Sequence, residues 1–214
     1  MENTFIRELD INIGSRSTVL KLHQKIEGDV SCVVWDAAII LAKYLEKLNE
    51  NNVGYFRNKA IIELGAGVGC VGITAAALGG DVTLSDLPEA LPLLNLNVIE
   101  NKMCWEGNQG LIRIIPLDWG TEVELKSPDI ILLADCVYYE ESVLPLIRTL
   151  KALARSDTEI LVCQEIRDTQ KQVECWELFI KNLKKYFTIT IVPMEDHHEE
   201  FSSLDIVILK LIKL

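Results

Sequence analysis

Along the chain, short apolar runs alternate with longer stretches in which apolar residues recur every three or four positions. Residues 60–64 read as a buried strand, and 69–79 as a helix closing at Gly79-Gly80. Residues 81–85 predict a second strand. Residues 88–102 predict a helix with Leu91, Leu94, Asn95 and Val98 on one side. A third strand spans Leu111–Ile115. Pro128–Asp135 predicts a fourth, apolar on both faces as a central parallel strand requires. A helix near 141–154, a strand over Ile160–Cys163 and a helix over 169–184 follow, and strands near 186–192 and 204–212 close the chain. Ahead of this body, residues 4–23 alternate weakly and break at Gly14-Ser15-Arg16-Ser17, which predicts two short strands in a hairpin-like extension. Asp36 opens or caps a helix carrying Ala38, Leu41, Ala42 and Leu45, and Asn49–Gly54 reads as a loop.

This alternation predicts an α/β fold, a Rossmann-like doubly wound sheet, in one domain over residues 1–214 with residues 1–30 as an N-terminal β extension. Such sheets bind ligands outside the carboxyl ends of their strands. That rule gathers Glu63–Gly69, Asp86, Asp118-Trp119 and Ala134–Tyr139 around one crevice.

The chemistry concentrates at Glu63-Leu64-Gly65-Ala66-Gly67-Val68-Gly69. Glycines at alternate positions let a ligand lie against the backbone and allow positive φ in the turn. A dinucleotide site spaces its third glycine one position later, where this chain has Cys70. An acid ahead of the glycines, Glu63, suits a cationic ligand better than a pyrophosphate. The alternative is a plain strand–turn–helix joint with glycines for packing. Asp86 lies roughly 20 residues beyond the turn, where βαβ folds place the carboxylate that accepts hydrogen bonds from ribose hydroxyls. Asp-Leu-Pro at 86–88 is also a good helix start, so Asp86 as a cap is the competing reading.

The formal net charge of −11 over 214 residues argues against nucleic acid as the main partner and agrees with a basic protein surface. No apolar run has the length of a membrane span, and the acidic start Met1–Glu8 does not read as a signal peptide, so a cytoplasmic protein without membrane contact is expected. The six cysteines form no C-x-x-C pair and read as reduced packing residues. Glu195–Glu200, which includes His197 and His198, lacks helical ligand spacing and reads as a solvated loop; no metal site is expected. No exposed apolar helix stripe stands out, which favours a monomer.

Five segments occur in order: Cys-Val-Val-Trp-Asp-Ala-Ala at 32–38, Glu-Leu-Gly-Ala-Gly-Val-Gly at 63–69, Ser-Asp-Leu at 85–87, Asp-Trp-Gly at 118–120 and Ala-Asp-Cys-Val-Tyr-Tyr-Glu-Glu at 134–141. Together they resemble the seven-β-strand protein-lysine methyltransferases of family 16, over almost the entire chain. The resemblance implies a final antiparallel strand inserted near the sheet edge. It implies S-adenosylmethionine as cofactor, leaving as S-adenosylhomocysteine, with contacts from Trp35, Glu63, Gly65, Ala66, Gly67, Asp86, Trp119, Ala134 and Tyr139. It implies Asp135 and Tyr138 as the catalytic pair facing an incoming lysine, and a protein acceptor, expected to be valosin-containing protein, an AAA ATPase. Gln164-Glu165-x-Arg167 is similar to an aromatic-Glu-x-Arg pattern of the family, with Gln164 replacing the aromatic residue.

In the implied reaction the lysine amine attacks as the neutral base, and free lysine titrates near ~10.4. Asp135 is therefore expected to orient and capture the ammonium rather than act as base, with Tyr138 or Tyr139 flanking the aliphatic stem. Trp119 and the two tyrosines as packing residues, and Asp135 as a helix cap, are the structural alternatives. A dinucleotide dehydrogenase, a small-molecule methyltransferase and a non-catalytic scaffold remain open at this point.

Overall fold

The computed structural model describes residues 4–122 and 125–214; Met1, Glu2 and Asn3, which begin the acidic N-terminal stretch, lie outside them. The chain opens with β1 (Thr4–Ile13) and β2 (Arg16–Lys25), paired antiparallel around the Gly14-Ser15 turn. After α1 (Asp36–Asn51) the remaining strands are β3 (Ala60–Leu64), β4 (Asp81–Asp86), β5 (Leu111–Pro116), β6 (Ile130–Ala134), β7 (Glu159–Glu165), β8 (Phe187–Ile191) and β9 (Ile206–Lys213). Between them lie α2 (Cys70–Ala77), α3 (Leu91–Glu100), α4 (Lys102–Glu106), α5 (Glu140–Leu153) and α6 (Gln170–Leu183).

The seven strands β3–β9 form one sheet in the order β5-β4-β3-β6-β7-β9-β8. The first five pair in parallel, and β9 inserts antiparallel between β7 and β8, as the sequence resemblance implied. The order reverses between β3 and β6, which is the switch point where such sheets leave a crevice. The central strand β6 buries Ile130, Ile131, Leu132 and Leu133 completely or nearly so, because helices cover both faces. The helical pattern around 141–154 gives α5, whose apolar face (Val143, Leu146, Ile147, Leu150, Leu153) packs with Phe179 and Leu183 of α6.

Three readings of the sequence change. The loop expected from Asn49 begins later, because α1 runs on to Asn51 with Asn49 buried. The stretch 88–102 divides into α3 and a separate short α4. The loop over Glu195–Glu200 is solvated except at His197, which is 2% exposed with its Nε2 3.3 Å from the Val192 carbonyl, and the Lys47 ammonium donates to the Glu195 and His197 carbonyls. The N-terminal hairpin forms as expected and packs on the main body, with Leu9, Ile11, Leu20 and Leu22 in the main core. All six cysteines are free thiols, four of them buried.

The attachment of that hairpin bears on the crevice. Asn97 of α3 and Asn101, which caps its C-terminal end, stand one helical turn apart, and each side-chain amide meets one residue of β2 as a neighbouring strand would. Asn97 accepts from the His23 N–H and donates to the His23 carbonyl; Asn101 does the same with Lys21. This satisfies an otherwise open strand edge. Asn97 also donates to the Val68 carbonyl in the glycine turn, and buried Gln24 of β2 accepts from the Val34 N–H next to Trp35. The hairpin thus grips two walls of the crevice.

Candidate functional site: an acidic cleft at the switch point

The glycine turn follows directly from β3. Gly65 and Gly67 have φ of 67° and 53°, in the left-handed region that disfavours a side chain. A Cβ on Gly65 would lie 3.0 Å from Trp119 Cζ2 and 3.0 Å from Cys136 Sγ, so the turn leaves no room for one. Gly69, with φ of 86°, is the N-cap of α2 and supplies no side chain to its free amides. The missing cap comes from Glu63, whose Oε2 accepts the Gly72 N–H at 2.8 Å. Gly72 is obligatory for that contact, because a Cβ there would lie 2.5 Å from the carboxyl and 2.1 Å from Leu84 Cδ2.

Glu63 therefore does not present a charge to a ligand, as its place ahead of the glycines suggested. It lines the floor of the cleft but is 2% exposed, and burial pushes its pKa up to about 8 despite the Gly72 hydrogen bond. Asp86 does face the cleft. It ends β4, and its Oδ2 accepts the Gly67 N–H while Oδ1 accepts the Leu87 N–H, each at 2.7 Å. The competing reading of Asp86 as a helix cap gives way, since α3 begins at Leu91 with Ala90 as N-cap.

Around these elements lies a cleft holding about 1110 Å³ of empty space, its mouth included. It is lined by Trp35, Gly65, Ala66, Gly67, Asp86, Trp119, Ala134 and Tyr139, so the residues implied by the sequence for cofactor binding converge. Trp35 is held by its indole N–H on the Val30 carbonyl at 2.9 Å. Tyr138 and Tyr139 follow β6, with ring centroids 4.6 Å apart. Burial raises the Tyr138 phenol above its ordinary range and keeps it protonated. Sequence reading missed Asp29 and Glu89, which add carboxylates to the lining. Among the described residues six carboxyl groups line the cleft (Asp29, Glu63, Asp86, Glu89, Asp118, Asp135), and no lysine or arginine does. A pyrophosphate finds no counter-charge there. A sulfonium-bearing nucleoside with a cationic amine meets the right sign of field, a ribose carboxylate and aromatic walls.

The sequence model of a lysine methyltransferase family matches residues 15–186, from the hairpin turn to just past α6. The chain belongs to this lysine methyltransferase family. As a member it is an S-adenosylmethionine-dependent methyltransferase, and the cleft fits that cofactor on the donor set just described. Among its relatives, protein N-lysine methyltransferase METTL21A of Danio rerio is 38% identical over 79% of this chain and 74% of its own length. EEF1A lysine methyltransferase 3 of Xenopus tropicalis is 35% identical over 79% of this chain and 72% of its own. The fold is shared more widely. Magnesium protoporphyrin IX methyltransferase from Synechocystis, solved with bound SAH, superposes with a TM-score of 0.60 at 16% identity over 84% of each chain. The glycopeptide N-methyltransferase MtfA, solved with S-adenosylmethionine, gives 0.59 at 10% identity over 79% of this chain and 86% of its own. Acceptors as different as a porphyrin and a glycopeptide on one fold mean that the sheet alone does not fix the acceptor.

Away from the glycine turn, the cleft continues to the turn that follows β6. Asp135 has φ of 54°, rare for a residue with a side chain, and its N–H donates to the Cys163 carbonyl. Its carboxylate is not free to capture an incoming ammonium, the role the sequence suggested. It pairs with Arg167 through both guanidinium Nη atoms and accepts the Gln164 side-chain amide at 2.7 Å. Asp135 does not cap α5 either, whose N-cap is Tyr139. Gln164, where the family pattern has an aromatic residue, is 2% exposed and also accepts the Val137 N–H at 3.0 Å. It ties the turn to β7 by hydrogen bonds instead of walling it with a ring.

Proposed function

We propose that this methyltransferase transfers a methyl group to the side-chain nitrogen of a lysine in a protein, with valosin-containing protein as acceptor. The observation that carries the reading is the single cleft that joins the glycine turn and Asp86 at one end to the Asp135–Tyr138 turn at the other. In it Gly65, Ala66 and Gly67 offer their backbone, Asp86 receives ribose hydroxyls, and Trp35, Trp119, Ala134 and Tyr139 wall the cofactor. When bound, S-adenosylmethionine supplies an electrophilic methyl group with a neutral thioether as leaving group. No anion develops at that leaving group, so the protein's task is alignment and exclusion of water. Tyr138, uncharged, flanks the aliphatic stem of the acceptor lysine and narrows its approach. Asp135 and its partners hold the turn that carries Tyr138.

The segments at 32–38 and 134–141 support valosin-containing protein as acceptor. A second acceptor is that of the relative from Xenopus tropicalis, an EEF1A lysine methyltransferase: elongation factor 1A. The acidic surface suits a basic segment on either. We take the protein to work as a cytoplasmic monomer, which light scattering and cell fractionation check.

The test is transfer of radiolabelled methyl from S-adenosylmethionine to purified valosin-containing protein, purified elongation factor 1A and total cell lysate. A labelled band at valosin-containing protein supports the full proposal. Label only on elongation factor 1A or another protein keeps the lysine methyltransferase and discards that acceptor. Label confined to small molecules overturns the protein acceptor.

A further inference from the structure

Asp135 differs from the five other carboxyl groups of the cleft. Among the described residues it alone of the six makes an ion pair. Its side chain is 3% exposed, and Arg167, Gln164 and the Glu165 N–H, at 3.3 Å, all donate to it. Arg167 in turn pairs with Glu165 at 2.6 Å, and its guanidinium lies 5.4 Å from the Trp35 ring on the cofactor wall. The guanidinium is thus fixed from three directions at the junction of the two ends of the cleft.

The other titratable groups around this pair are accounted for. On β7, Cys163 is held protonated by burial; on the turn itself, Cys136 and Tyr138 are also held protonated. Glu165 shares Arg167, Glu140 and Glu141 begin α5 behind the turn, and Asp86 and Asp29 bear on Tyr138 from the cofactor side. The buried charge on the turn is therefore Asp135, and Arg167, shared with Glu165, offsets it.

This matters because the reacting lysine must first lose a proton. A free carboxylate beside it holds the ammonium form, and a fixed cation favours the amine. We propose that Arg167 is a positioning residue for methyl transfer: by offsetting the charge of Asp135 it makes the acceptor end less negative, so that the lysine enters as the free amine. This inference rests on the protein-lysine reading above. The lysine ammonium gives one proton to solvent. The amine lone pair then forms the new carbon–nitrogen bond, the carbon–sulfur bond breaks with its electron pair left on sulfur, and the positive charge passes to the methylated ammonium.

The test is the pH dependence of kcat/KM on the acceptor labelled by the wild-type protein, for Arg167→Met, Arg167→Lys, Asp135→Asn and the double variant D135N/R167M. Cofactor binding by calorimetry reports folding. Arg167→Met moves the midpoint of the alkaline rise up by about one pH unit. Asp135→Asn moves it down, Arg167→Lys leaves it in place, and the double variant returns it to the wild-type position at a lower rate. Should Arg167→Met fail to fold, because it leaves a buried carboxylate unpaired, Asp135→Asn and the double variant carry the test. Equal rate losses at every pH, with no midpoint moving, overturn the inference. So does faster methylation by Arg167→Met at neutral pH, which would make Asp135 an ammonium receptor that Arg167 blocks. Absence of lysine labelling by the wild-type protein would overturn the protein-lysine reading itself, and the inference with it.

Discussion

The two ends of the cleft are built by opposite means. At the cofactor end, backbone does the shaping: glycines with positive φ, a strand-end aspartate held by two N–H groups, and carboxyl groups with no cation among the lining residues. At the proposed acceptor end, side chains do it: a carboxylate in a left-handed turn is clamped by a glutamine of the neighbouring strand and an arginine just past its end. The difference matches the chemistry each end serves. A cationic nucleoside is drawn by an uncompensated negative field. On the proposed function, an amine that must be neutral is served by a field that Arg167 makes less negative.

Gly65→Val breaks the cofactor end most severely. It forces a branched side chain into a left-handed position already filled by Trp119 and Cys136, and calorimetry should detect no cofactor binding. Asp86→Ala comes next. It removes the ribose acceptor and leaves the Gly67 N–H without its partner, so cofactor affinity should fall by about 1.5–3 kcal/mol, one to two orders of magnitude in Kd. Gln164→Leu sharpens the contrast from the other side. It releases the Val137 N–H and one donor to Asp135, so kcat should fall about tenfold with cofactor Kd unchanged.

The smallest effect concerns Glu63, and it depends on pH. Its folded pKa, about 8, lies above the usual carboxyl value near 4.5. The folded state therefore binds the extra proton, so this contribution is intact below about 4.5 and is lost as pH rises toward 8. Thermal melts of the wild-type protein should show stability falling across that window. Glu63→Gln should be nearly neutral at its lower edge and should flatten the fall.

The cofactor end was largely legible in the sequence because its signals are local. Glycine spacing and an acid at a strand end are written within a few residues of the contacts they make. The acceptor end was legible only in its motif, not in its wiring: Asp135 meets Arg167 from a segment 32 residues away, and no periodicity reports that meeting. Gln164 was visible only as a missing aromatic residue, since a buried side-chain amide looks like a surface residue until its partners are known. The same reason hid Asn97 and Asn101, polar residues on a helix that substitute for a strand edge. The ionisation of Glu63 follows from burial under α2, which composition does not reveal. The division of α3 from α4 was missed because apolar positions continue across Asn101.

The most direct test of the central claim is mass mapping of the acceptor after reaction with S-adenosylmethionine. The account predicts methyl groups on the side-chain nitrogen of a lysine, absent when Gly65→Val replaces the wild-type protein. Methyl groups on a carboxylate, a nucleobase or a small molecule, with no modified lysine, would contradict it.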